Sequence, residues 1–326
     1  MRRLFHLYDF ALRNIPKRCF PDFLYHYTKP DVLPFICKKT GRLLATQVNY
    51  LADKKEIILG IDLVSQYLID REGWPREQVV RIKGFARRII LGAPPHGDGA
   101  PVAPWVTSLT CRLDSPRMWH DYTLPQGGYC IAFRHQGLRF CVEQIMSRYS
   151  DGGLNKNDII YILPCFYLGK HDIDGFIRSY IADFKDMFVM EATDYTIVAH
   201  MIVMATLIKG ASYKYEHEWR MVLLPNPNRL NDVEWIGEYN NVTARLSIGL
   251  ENCIDDFRRL IGGMLVSPHG NHQALRARAK RLATPFTIKN MHREAGTKIE
   301  VSGLPTNYDR LAKFYPVAQA QYEIHT

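Results

Sequence analysis

LYHYT, from Leu24 to Thr28, alternates two tyrosines with a histidine and a threonine. On a strand, His26 and Thr28 point to one face while Tyr25 and Tyr27 point to the other. A neutral histidine offers one donor and one acceptor, and a tyrosine offers a flat π face with a polar tip. Such a strand is equipped to hold a ribose hydroxyl and to stack on a ring. Taken alone, the five residues fit a core strand better, with His26 satisfied internally and the tyrosines as ordinary β formers.

Working outward, Pro30 suits the first turn of a helix whose apolar side is Leu33, Ile36 and Cys37 and whose stop is Gly41. RLLATQ follows as a second strand. KEIILGIDLVSQYLIDRE, from Lys54 to about Glu72, has helical spacing, a further helix covers roughly 76–91, and GAPPHGDGAP is a loop. VAPWVTSLT and GGYCIAF read as strands on either side of a polar segment, CRLDSPRMWHDY. IIYILPCFYL is another strand, and a long helical region runs to about Ile208. HEWRMVLL alternates as a strand does, with Trp219, Met221 and Leu223 on one side and Glu218, Arg220 and Val222 on the other. TARLSIG, GMLVSP and a basic helix at 272–283 complete a mixed α/β pattern. No glycine-rich loop of the Rossmann or P-loop kind follows a strand, so a nucleotide would have to bind another way.

A chain of 326 residues, 47% hydrophobic and 23% charged, has the composition of a folded globular protein. Its longest apolar run, IVAHMIVMATLI at 197–208, falls short of the roughly 20 residues that cross a bilayer, so no membrane partner is expected. Residues 1–20 are basic and amphipathic and lack the apolar core of a signal peptide. The seven cysteines are odd in number and scattered through apolar runs, as in a reducing cytoplasm, and none has the spacing of a metal site. A net charge of +9 favours an anionic partner. It gathers at Arg76, Arg81, Lys83, Arg87 and Arg88 and again at Arg276, Arg278, Lys280 and Arg281. Both runs suit either the solvated face of an amphipathic helix or a phosphate-binding face for nucleic acid.

Three further stretches carry chemistry. In KYEHEWR, Glu216 and Glu218 lie two apart on a strand, with Arg220 next along the same face. Adjacent carboxylates raise each other's proton affinity and an arginine fixes one of them ionised, which makes an acid/base pair; the same residues also make a salt-bridged sheet edge. In TSLTCRLDSPRMWHDY, Ser108, Thr110, Trp119, His120 and Tyr122 suit the floor of a ligand cleft or a packed turn. Ser108, His120 and Asp121 lack a nucleophile elbow, which disfavours a hydrolase triad. In NYLADKKE, Asp53 caps the helix that follows it.

Taken jointly, these pieces resemble the bacterial family catalogued as domain of unknown function 2971. The resemblance rests on HYT, the N..AD..E of Asn49 to Glu56, the serine strand with Trp119 and Tyr122 ahead of G..I.F, the E.EWR of Glu216 to Arg220, and a close at Ser302 and Pro305. It runs from about residue 23 to residue 306. LADKKE departs from the family's N-D-P-x-E and leaves the roles of Asp53 and Glu56 open. The family is distantly similar to the ADP-ribosyltransferase superfold, which implies a mostly antiparallel split sheet with flanking helices. The whole chain, 1–326, would then be one such domain, with a helical insertion at about 54–92 and a helical region at about 172–208.

The same resemblance implies NAD as co-substrate and no metal. It gives Glu218 the ribose 2′-hydroxyl, where a carboxylate stabilises the positive charge that develops as nicotinamide leaves, and gives Glu216 the acceptor's proton. His26 would bond a ribose, Tyr27 or Tyr122 would stack on nicotinamide, Arg42 or Arg220 would meet the pyrophosphate or fix the glutamate, and Thr28, Ser108 and Trp119 would line the site. The implied activity is mono-ADP-ribosylation of RNA or DNA, or less readily of a protein, by a toxin with a neutralising antitoxin partner or by a phage-defence enzyme. An NAD glycohydrolase and a non-catalytic nucleic-acid-binding module are the alternatives.

Overall fold

The computed structural model describes residues 21–37, 40–51, 53–92, 103–123, 127–150, 159–184, 194–225, 231–236, 243–268, 271–283 and 298–301. Ser302, Pro305 and residues 1–20 lie outside them. In chain order the first half holds β1 (Phe23–Thr28), α1 (Leu33–Ile36), β2 (Leu44–Gln47), α2 (Lys54–Asp70), α3 (Arg76–Ile90), β3 (Trp105–Thr110), α4 (Pro116–Thr123), β4 (Tyr129–Arg134) and α5 (His135–Ser150). The second half holds β5 (Ile159–Pro164), β6 (Phe166–Tyr167), α6 (Ile173–Asp183), α7 (Asp194–Leu207), β7 (Ile208–Lys209), β8 (Glu218–Leu224), β9 (Glu234–Ile236), β10 (Thr243–Ser247), β11 (Ile261–Val266), α8 (His272–Ala283) and β12 (Lys298–Val301). The class is α+β. None of the described helices is long and apolar enough to cross a membrane.

The described residues fall into two compact units. The first contains Leu44–Ser108 and Val142–Ile248. In it, antiparallel pairs join β3 to β2, β2 to β10 and β10 to β9, while β5 pairs antiparallel with β8 along its whole length. Helices α2, α3 and α7 pack on one another. α2 starts where Asp53 accepts from the backbone N–H groups of Lys55 (3.1 Å) and Glu56 (3.3 Å), satisfying donors that a helix start leaves open. α7 is apolar on every side, and Ile197, Val198, Met201, Ile202 and Met204 are all buried, as a helix surrounded by neighbours requires.

The second unit contains Pro16–Leu43, Leu109–Cys141 and the chain from Gly249 onward. Here β1 pairs antiparallel with β4, β4 with β11, and β11 runs parallel to β12, while Tyr25 of β1 pairs with Thr110. Three readings of the sequence change. The polar segment CRLDSPRMWHDY contains a helix, α4, which Pro116 opens with its preset φ. The first helix starts at Leu33, with Pro34 in its first turn, and Pro30 lies in the turn before it. IIYILPCFYL is two strands parted at Cys165, and the helical region ends at Leu207 so that Ile208–Lys209 can pair in parallel with Phe166–Tyr167.

Candidate active site

In the first unit a group of charged side chains is assembled around the end of β7. Lys209 ends that strand, Gly210 follows, and a 3-10 turn over Ala211–Glu216 returns the chain toward β8. His217 closes the turn in the left-handed region, at φ 42°, which only a few percent of non-glycine residues adopt, histidine among the more frequent. Glu216 therefore ends a turn, and only Glu218 stands on the strand, contrary to the shared strand face expected of the pair. Both carboxylates nevertheless reach one ammonium. Lys209 Nζ lies 2.5 Å from Glu216 Oε2 and 2.5 Å from Glu218 Oε2.

Arg220, two residues along β8 from Glu218 and so on its face, donates from Nε to Glu218 Oε1 (2.8 Å) and from Nη2 to Oε2 (3.1 Å). The same guanidinium donates to Glu56 Oε2 (3.1 Å) and to the carbonyl of Thr206. Glu56 Oε1 faces Lys209 Nζ at 3.1 Å as an ion pair outside hydrogen-bonding geometry. The backbone N–H of Glu218 donates to the Tyr167 hydroxyl at 2.9 Å. All five charged residues are buried. Half-buried Tyr213 forms the rim: its ring lies 4.9 Å from Lys209 Nζ and its hydroxyl donates to Asp53 Oδ2.

Burial acts on every member of this group and is outweighed at some. It would raise the Glu218 carboxyl, but Arg220 and Lys209 prevail and hold it down to about 2, so Glu218 is an anion across the physiological range. At Glu56 burial prevails over the same two cations and the carboxyl is raised. Burial would lower Lys209 and Arg220, yet the adjoining Glu218 carboxylate keeps both above their ordinary values. An ion so placed does not trade protons. It presents a fixed charge, the arrangement that stabilises a developing cation.

The residues expected from LYHYT and α4 lie in the second unit and divide into core and surface. Tyr27 is buried, its hydroxyl accepting from Ser115 N (2.8 Å) and donating to the Arg112 carbonyl (3.2 Å). Its ring meets Trp119 edge to face at 4.8 Å, in a cluster with Met118, Cys130 and Leu265. Trp119 is wholly enclosed and donates its indole N–H to Asp114 at 2.8 Å. These two rings, expected at the cofactor, are therefore core residues held by their polar tips. His26 is half-buried, Thr28 buried and Tyr122 exposed, while Arg42 is half-buried and its backbone N–H donates to the Phe35 carbonyl. Ser108, half-buried on β3, belongs to the first unit.

Residues 118–221 match the family model described as protein of unknown function DUF2971. The matched segment, about a third of the chain, is similar to that family. It carries Lys209, Glu216, Glu218 and Arg220, and LYHYT precedes it. No curated protein and no solved structure matches the chain. No motif in the sequence assigns a role to Lys209, Tyr167 or Tyr213. A signal for Lys209 was present: it is the lone charge directly after IVAHMIVMATLI, where a lysine is buried only if paired. Among the described residues no group of three His, Cys, Asp or Glu side chains is arranged to hold a metal ion.

Proposed function

We propose that the protein is an NAD-dependent mono-ADP-ribosyltransferase whose acceptor is a nucleic acid. The observation that carries this reading is Glu218: a buried carboxylate kept ionised by two cations, whose Oε1 accepts, among the described residues, from Arg220 Nε alone. A carboxylate oxygen takes two bonds, so Oε1 has capacity for a ribose 2′-hydroxyl. In the reaction the bond between ribose C1′ and the nicotinamide nitrogen breaks, and the electron pair leaves with nicotinamide. Glu218 stabilises the oxocarbenium charge that develops on the ribose. The acceptor hydroxyl or ring nitrogen attacks C1′ and gives its proton to Glu216. Such a general base contributes roughly 10²–10⁴-fold.

Arg220, with its guanidinium committed to Glu218, Glu56 and the Thr206 carbonyl, fixes the glutamate. The mostly antiparallel pairing suits the superfold that we infer. A net charge of +9 supports an anionic acceptor, and an enzyme that modifies nucleic acid at the expense of NAD suits a toxin held in check by an antitoxin, or a phage-defence enzyme.

The test is incubation with labelled NAD and separate pools of RNA, DNA and protein. Label is expected in a nucleic acid pool and lost in Glu218→Gln. Label that persists in that variant refutes the role of Glu218. Nicotinamide release with no labelled macromolecule identifies an NAD glycohydrolase instead.

A further inference from the structure

We propose that Lys209 is a positioning residue, whose ammonium holds the carboxylates of Glu216 and Glu218 side by side in the arrangement the transfer needs. The inference rests on the transferase reading and deepens it. Glu216 sits at the end of a turn and Glu218 at the start of a strand, with a left-handed histidine between them. Nothing in that backbone path requires their side chains to meet, and the atom at which they do meet is Lys209 Nζ, 2.5 Å from each. A lysine suits this place because its three donors radiate from a compact charge and serve carboxylates arriving from different directions, which the flat fork of an arginine does less well. The Tyr213 ring lies over the ammonium and Tyr213 is tied to Asp53, whose other oxygen caps the helix that delivers Glu56.

The groups facing this ammonium come from every element around it. They are Glu56 of α2, Cys165 and Tyr167 beside it, Tyr213 and Glu216 of the turn, and Glu218 and Arg220 of β8. With Lys209 removed, the carboxylates of Glu56, Glu216 and Glu218 lose the cation they share, while Arg220 still pairs with Glu56 and Glu218. Glu218, with one of its two cations gone, then takes up a proton at higher pH than in the wild type, and the two carboxylates no longer meet at one ammonium.

Lys209→Met, Lys209→Arg and the double variant Lys209→Met/Glu216→Gln test this. The double variant removes one charge of each sign and keeps the balance of the buried group, so it serves if the single variant fails to fold. The expected result in Lys209→Met is a loss of about 10²-fold in kcat with KM for NAD within about threefold, and an acid limb of the kcat profile shifted upward by about one pH unit. Lys209→Arg is expected to recover part of the loss, because it restores charge without the compact geometry. Titration of the glutamate carboxyl carbons by NMR, without NAD, gives a readout independent of turnover. Glu218 should titrate measurably higher in Lys209→Met, or in the double variant, than in the wild type. An unchanged Glu218 titration, or kcat within threefold of wild type in a folded Lys209→Met, overturns the proposal. Absence of NAD turnover in the wild type refutes the transferase reading, and the carboxyl titration then decides the positioning role alone.

Discussion

Glu218 and Tyr27 show how a buried polar side chain can be read. Glu218 is ionised because Arg220 and Lys209 outweigh its burial, and its pH linkage follows from that. Its folded pKa of about 2 lies below the unfolded value near 4.3, so the stability it contributes is complete above about pH 4.3 and lost as pH falls toward 2. Glu56 is displaced the other way, so protonating it as the pH falls favours the folded state and offsets part of that loss. Urea unfolding from pH 6 to pH 2 should show stability falling steeply at the acid end, and Glu218→Gln should flatten that fall. The same variant leaves two buried cations with one partner fewer, and should cost about 3–5 kcal/mol at pH 7. Tyr27 behaves differently, because its hydroxyl serves the Ser115 N–H and the Arg112 carbonyl. Tyr27→Phe should cost about 1–3 kcal/mol, read by urea unfolding.

Helices α2 and α3 were legible from apolar spacing and from Asp53, and they stand at Lys54–Asp70 and Arg76–Ile90. α5 was not, because the polar RHQG at 134–137 that follows β4 has the composition of a turn, while the helix begins within it at His135. The parallel pairing of β6 with β7 was hidden for a related reason: two-residue strands are too short to show alternation. Packing sets a sharper contrast between two helical glycines that look alike in sequence. A Cβ at Gly60 of α2 would lie 2.6 Å from the Ala205 carbonyl oxygen and 2.7 Å from its Cα, so α2 and α7 approach closely only because that atom is missing. A Cβ at Gly84 of α3 would meet nothing nearer than Arg88 Nη1 at 4.0 Å. Gly60→Ala should therefore destabilise by about 1–3 kcal/mol despite its gain in helix propensity. Gly84→Ala should stabilise by roughly 0.5–1 kcal/mol, as thermal or urea unfolding of the two variants would show.

Across the whole molecule, the sequence placed most of the described strands, though not β7, β9 or β12, and ordered the candidate residues, but it could not show which of them meet, since Lys209, Glu56 and Glu218 come together from positions up to 162 residues apart. Charge has the same character: +9 is a sum, and what it does depends on where each cation is already committed. On α3, Lys83 Nζ lies 3.1 Å and Arg87 Nη2 2.7 Å from the Asp62 carboxylate of α2, so two of the five basic residues in that run fasten helix to helix. Arg76, Arg81 and Arg88 are exposed. If α3 holds the acceptor's phosphates, these three carry the salt dependence, at a log–log slope of about 0.7 per contact on single strands and 0.9 on duplexes. Replacing all three with glutamate should lower nucleic-acid labelling and reduce the slope of binding against salt by about 2 on single strands and nearly 3 on duplexes, with NAD-binding affinity unchanged. A slope that stays the same would make the basic side of α3 a solvated face, and the acceptor's phosphates would then have to be held elsewhere, with Arg276, Arg278 and Arg281 of α8 the next residues to reverse.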